Sequence, residues 1–172
     1  VQLNHGGTEM GQGLNTKVAQ IVAHEFQVGF ETVKITATTT GKVPNTSATA
    51  ASSGTDLNGM AAQAAARTIK GRMRAHLAEL HQCNSDSVTF TSGRVRAGAA
   101  EMSFAEAAKT CYLGRVSLSS TGFYATPKIH WDKTRSRGRP FYYFAYGAAV
   151  SEVAVDLLTG ENRILRLSLI HI

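Results

Sequence analysis

Residues 5–13 read His5-Gly6-Gly7-Thr8-Glu9-Met10-Gly11-Gln12-Gly13, with four glycines in nine positions. The stretch follows the apolar-alternating Val1-Gln2-Leu3 and precedes a helical pattern, so it describes a strand that turns sharply into a helix. Glycine tolerates positive φ and lets another group approach the main chain closely. Amides at the start of the following helix point outward and favour an anion or a polar heteroaromatic group. This local chemistry predicts a backbone grip on a ligand, and it leaves the ligand open.

The periodicity after the turn predicts a helix over 12–26, with Val18, Val22 and Phe26 on one stripe, stopped by Gly29. Val33-Lys34-Ile35-Thr36 alternates as a strand. Residues 38–54 are almost all small or hydroxylated, with two glycines and one proline. Composition alone favours a flexible linker there. The alternative is that the segment supplies a helix N-terminus, where small side chains let main chain press against a large flat ligand.

Residues 55–82 carry the longest helical signal, alanine-rich in its first half, with Met60 and Met73 read as core filler and not as ligands. Residues 88–91 and 94–96, joined by Ser92-Gly93, predict a hairpin. Ser103-Phe104-Ala105-Glu106 is a capping box that opens a helix ending near Gly114. Residues 116–124 read as extended, and 140–156 with 163–172 as a long hairpin turning at Thr159-Gly160-Glu161-Asn162. Between them, 128–139 holds five basic residues, one acid and Trp131. A solvated loop or subunit contact is the favoured reading of that segment; nucleic-acid contact is the sharper one.

At 172 residues the chain has room for one domain with a real core, and neither a repeat nor an inner boundary is visible. The net charge of +6 is compatible with nucleic acid or with an acidic partner subunit. Cys83 and Cys111 lie far apart without a CxxC, so both are expected reduced and buried. No apolar run is long enough to span a bilayer, and no secretory leader is visible, which predicts a cytoplasmic protein. Entry into a strand at Val1 without a start methionine reads as a piece of a longer polypeptide.

Spacing reveals no catalytic constellation. His5 and Glu9 are four apart, but on a glycine turn. The glycines match neither GxxxxGK[ST] nor a full dinucleotide fingerprint, there is no GxSxG, and the six histidines are scattered. Neither a catalytic residue nor a metal ligand is assigned. From the residues alone this is a ligand-gripping α+β domain.

HGGTEMGQG at 5–13, followed by VPNTSATAASSGTDLNG at 43–59, resembles the molybdenum-cofactor-binding subunit of bacterial xanthine dehydrogenases, in the aldehyde oxidase/xanthine dehydrogenase family. SLSSTGFYATP at 117–127, PFYYFAYGAAVSEVAVD at 140–156 and the LTGE turn at 158–161 extend the resemblance over 1–166. It implies a molybdopterin cofactor held by Gly11, Gln12 and Gly13, and by the main chain of Thr49, Ala50, Ala51 and Ser52, continuing to Ser53 and Gly54. That implication replaces the linker reading of 38–54. It also implies purine substrates, hypoxanthine or xanthine oxidised to urate. Partners would be the remainder of the molybdenum subunit and a subunit or domains carrying iron-sulfur clusters and FAD.

The family's glycine loop, arginine segment, substrate-sandwiching aromatics and catalytic glutamate have no counterpart in this chain; Glu9 is not that glutamate. The resemblance therefore implies a fragment inactive by itself. The ending also departs from the family pattern, so 167–172 is read as an atypical tail. Rival readings are an aldehyde oxidoreductase fragment and a non-enzymatic basic binding module; nucleic acid and membrane are not expected partners. The expected fold is α+β: mixed strands, two main helices and a C-terminal β-hairpin in one cofactor-binding domain, 1–172.

Overall fold

A computed structural model describes residues 1–39, 41–43, 46–144 and 146–171. Thr40, Pro44 and Asn45 of the small-residue segment, Ala145 and Ile172 lie outside the described residues. The chain divides into two compact units, Val1–Ala125 and Thr126–Ile172.

The first unit opens with β1 (Gln2–Leu3), which pairs in parallel with β2 (Lys34–Ile35). Between them lies α1 (Leu14–Phe26), two residues shorter at its start than the periodicity predicts. Gly13 occupies the cap position with φ 76°, a left-handed conformation that costs a residue without Cβ little. The expected stop at Gly29 is corrected: Gln27 ends the helix with φ 56°, its N–H reaching back to the last turn, and Gly29 is extended. The chain reverses through Phe30–Thr32 before β2.

Helix α2 (Gly54–Leu80) begins after a single 3-10 turn at Ala51–Ser53. It joins two apolar clusters. On its first half, Ala62 and Ala66 let α1 approach closely, and Leu14, Val18, Val22 and Phe26 pack there with Leu3 and Val33. On its second half, Met73 and Leu77 pack with Val88, Phe90, Val95 and Cys111. Met73 is core filler as expected, whereas Met60 is exposed. Phe104 links the clusters, with its ring 5.5 Å from Phe26 and 6.4 Å from Phe90.

The second cluster is closed by an antiparallel meander, β3 (Thr89–Thr91), β4 (Arg94–Ala97) and β5 (Ala100–Ser103). Ser92 and Gly93, both at positive φ, form the predicted tight turn. The third strand was not anticipated, because Ala100-Glu101-Met102-Ser103 has little β-branched content; it is held by pairing to β4. Helix α3 (Phe104–Leu113) starts in the predicted capping box, with both reciprocal Ser103–Glu106 bonds present.

Residues 116–124, read as extended, join no sheet among the described residues. They run along α2 instead. Arg72 donates to the Ser117 and Ser119 carbonyls, and a Cβ on Gly122 would come within 1.9 Å of the Ala61 carbonyl oxygen. Cys111 is buried as expected, Cys83 only half-buried, and both are free.

Among its described residues, the second unit holds two antiparallel hairpins. β6 (His130–Asp132) pairs with β7 (Arg137–Arg139), so the basic segment is a hairpin and not an irregular loop. Trp131 faces Gly138, where a Cβ would press on the Trp131 backbone. β8 (Gly147–Val155) pairs with β9 (Asn162–His171), with an irregularity at Glu152/Val153. The register puts Val153, Val155, Ile164, Leu167 and Leu169 on one face and the Glu152–Arg166 ion pair on the other.

Among the described residues, three α-helices, mixed strands and a C-terminal hairpin thus make the expected α+β fold. Among the described residues, no helix is long and apolar enough to cross a membrane.

Candidate functional site

The two sequence motifs meet in the first unit, and Leu14 is the reason. As the first residue of α1 it is 1% exposed, with its side chain wedged between the motifs. A Cβ on Gly7 would lie 2.5 Å from Leu14 Cδ2, and one on Gly54 would lie 3.5 Å from the same methyl. Gly6 is equally tight against Thr46, whose Oγ1 would stand 2.2 Å from an added Cβ. Gly6 and Gly7 are therefore glycines for close packing, whereas Gly11 and Gly13 are glycines for positive φ.

A hydrogen bond from main chain to side chain completes the junction. The Thr8 N–H donates to Thr49 Oγ1 at 2.8 Å, tying the glycine loop to the start of the second motif. Gly11, Gln12, Ala50 and Ser52 are exposed at this junction; Gly13, Thr49, Ser53 and Gly54 are half-buried.

Inside the loop, Gln12 folds back on its own turn. Its Oε1 accepts the Met10 N–H at 2.6 Å and its Nε2 donates to the Thr8 carbonyl at 3.0 Å. The expectation of free amides at the start of α1 is corrected. Glu9 Oε1 accepts from the Gly11 and Gly13 amides at 3.0 and 2.9 Å, and Oε2 accepts from Asn15 at 2.9 Å. The anion favoured by this helix terminus is the chain's own carboxylate. These main-chain bonds, the one from Asn15 foremost, hold the Glu9 carboxyl below the ordinary glutamate range.

Sequence reading passed over Glu9 as not catalytic and missed its capping role. A carboxylate four residues before a glycine cap was the available signal.

The start of α2 differs. Its cap residue Ser53 makes no side-chain capping bond, the first turn follows a run of small residues, and Ser53 Oγ donates to the Ala50 carbonyl at 3.1 Å. An exposed shelf of main chain with small side chains, flanked by a loop bearing an amide side chain, suits a flat polar heteroaromatic ligand. These donors and acceptors fit a pterin. Among the described residues, no group of three His, Cys, Asp or Glu could hold a metal ion directly.

Other candidates lie elsewhere. An open groove of about 830 Å³, lined by Val1, Gln27, Gly29, Thr32, Gly93 and Phe104 among others, contains none of the motif residues. The basic residues 128–139 and Trp131 are exposed on the second unit. Arg135 approaches Asp132 at 3.8 Å there.

Residues 1–171 match the family model described as "Molybdopterin cofactor-binding domain". The chain is 43% identical over 161 residues to xanthine dehydrogenase of Oryza sativa subsp. japonica, covering 94% of this chain and 10% of that protein. It is 41% identical over 170 residues to xanthine dehydrogenase/oxidase of Mus musculus, covering 99% of this chain and 11% of that protein. The chain thus spans about a tenth of the length of these relatives. Among solved structures, CO dehydrogenase from Oligotropha carboxidovorans aligns with a TM-score of 0.70 and 21% identity, over 99% of this chain and 20% of that one. Quinoline 2-oxidoreductase from Pseudomonas putida 86 aligns with a TM-score of 0.68 and 20% identity, over 99% and 21%. At such identities the structures speak for the fold.

Proposed function

This chain belongs to the molybdopterin cofactor-binding domain family, and we propose that residues 1–172 act as one cofactor-binding domain in the molybdenum subunit of a xanthine dehydrogenase. The observation that carries the reading is the junction itself: Leu14 and the Thr8–Thr49 bond set the two motifs side by side. In this reading Gly11, Gln12 and Gly13 hold one side of the pterin. The main chain of Thr49, Ala50, Ala51, Ser52, Ser53 and Gly54 lines the other.

Gln12 offers both an acceptor and a donor to the ligand. Glu9 keeps the loop in shape by accepting from two of its amides, Gly11 and Gly13, and from Asn15 in the first turn of α1. When bound, molybdopterin supplies the molybdenum centre at which a purine carbon is hydroxylated with oxygen from water. Hypoxanthine and xanthine are the proposed substrates and urate the product, in keeping with the names of the relatives. Iron-sulfur clusters and FAD on other domains or subunits would take up the electrons, and the catalytic base would come from outside this chain. The 172 residues alone then give no turnover, and the tail 167–172 has no assigned role.

Gln12→Ala in the molybdenum subunit should weaken cofactor retention by about 1–3 kcal/mol, the cost of deleting one polar partner. Molybdenum and pterin content per subunit check this. Unchanged content with an unchanged rate would remove Gln12 from the site.

A further inference from the structure

His5 is the buried titratable residue beneath the junction, 6% exposed, and no role has so far been given to it. The Gly7 N–H donates to its Nδ1 at 3.2 Å. An imidazole that accepts at Nδ1 is neutral and carries its proton on Nε2. Nε2 and Oδ1 of Asn15, in the first turn of α1, are both buried and interact with each other, but neither makes a hydrogen bond of good geometry among the described residues. The next amide after Gly7 is Thr8, whose N–H makes the bond to Thr49 that joins the motifs.

We propose that His5 is a positioning residue for the glycine loop: its neutral imidazole accepts the Gly7 N–H and fixes the turn from which Thr8 reaches Thr49. Its bearing on cofactor retention rests on the proposed function; the positioning does not. Protonation puts hydrogen on both ring nitrogens, so the Gly7 N–H loses its acceptor and faces a donor.

Burial pushes the His5 imidazole below its ordinary value, opposed by the Asn15 side chain and by the negative charge of Glu9. Glu9, from the loop, is the charged group acting on the ring. From α1, Asn15 is uncharged, and from α2, Asn58, packed on Gly7, is uncharged as well. The unfolded chain therefore takes up the proton first. The neutral contact is complete above the ordinary histidine range and is lost as pH falls through the lowered folded value.

The test is residue-resolved amide hydrogen exchange at Gly7 and Thr8 in the 172-residue chain, followed from neutral to mildly acidic pH, with α3 amides as the folding control. In the unaltered chain, protection should fall with pH. His5→Asn keeps an acceptor one bond from Cγ, where Nδ1 stands, and cannot titrate; it should retain protection at every pH. His5→Leu should exchange on the order of tenfold faster at Gly7 and Thr8 at neutral pH, the scale of one lost hydrogen bond.

Wild-type protection in His5→Leu, or leucine-like exchange in a folded His5→Asn chain, overturns the proposal. If α3 protection shows that His5→Leu does not fold, the pH-independence of His5→Asn decides. The readout needs no pterin, so a chain that passes leaves His5 where it is even if molybdopterin bound in the molybdenum subunit leaves exchange at 8–13 and 49–54 unaltered, the result that would contradict the proposed function.

Discussion

The two units of this chain solve the problem of burying apolar side chains in opposite ways. In Val1–Ala125 each long element contributes one apolar stripe to a shared interior, and Leu14, Val18, Leu77 and Val95 lose essentially all contact with solvent. In Thr126–Ile172 the longest element is a two-stranded hairpin, and Val153, Ile164, Leu167 and Leu169 remain exposed. A two-stranded hairpin gives each strand only one neighbour and by itself buries little of either face. The contrast teaches where the chain's own stability resides. Both candidate ligand segments stand on the unit that has a core.

The sharpest way to break this contrast is a pair of truncations. Leu14→Ala removes a fully buried side chain from the motif junction and should cost about 2–5 kcal/mol. Leu167→Ala, at 59% exposure, should change stability by no more than about 0.5 kcal/mol. Denaturant titration of the 172-residue chain checks both, and comparable losses would erase the distinction. At the next level, Ser103→Ala deletes the capping box that starts α3 and should cost about 1 kcal/mol.

The smallest effect separates two carboxylates that cap turns, Glu9 in the first unit and Asp156 in the second. Both are held below their ordinary values, chiefly by main-chain N–H donors. A lowered folded value means that each contributes stability above its ordinary range and loses it as pH falls through the folded value. Glu9→Gln should therefore flatten the acid side of the exchange profile at Gly11, Gly13 and Asn15 and leave Leu158 and Thr159 unaffected. An acid profile at Gly11 that survives the substitution would remove Glu9 as its source.

Much of the first unit was legible because its signals are local. Val18, Val22 and Phe26 announce α1 by spacing, Ser103 and Glu106 announce α3 by chemistry, and Ser92-Gly93 announces the turn. The glycines of 5–13 marked the site, yet their two different reasons were hidden: Gly7 answers to Leu14 and Asn58, which lie 7 and 51 positions away in sequence. Composition alone favours a linker over 38–54, although small side chains serve close approach as well as disorder; the motif resemblance replaces that reading. β5 was invisible because pairing with β4, a long-range event, outweighs the weak strand propensity of its residues.

The most direct measurement is amide exchange across the whole chain with and without bound molybdopterin, in the molybdenum subunit. The account predicts that the pterin slows exchange at 8–13 and 49–54 and leaves 128–139 unchanged. Slowed exchange confined to other segments, with 8–13 and 49–54 unaltered, would contradict it.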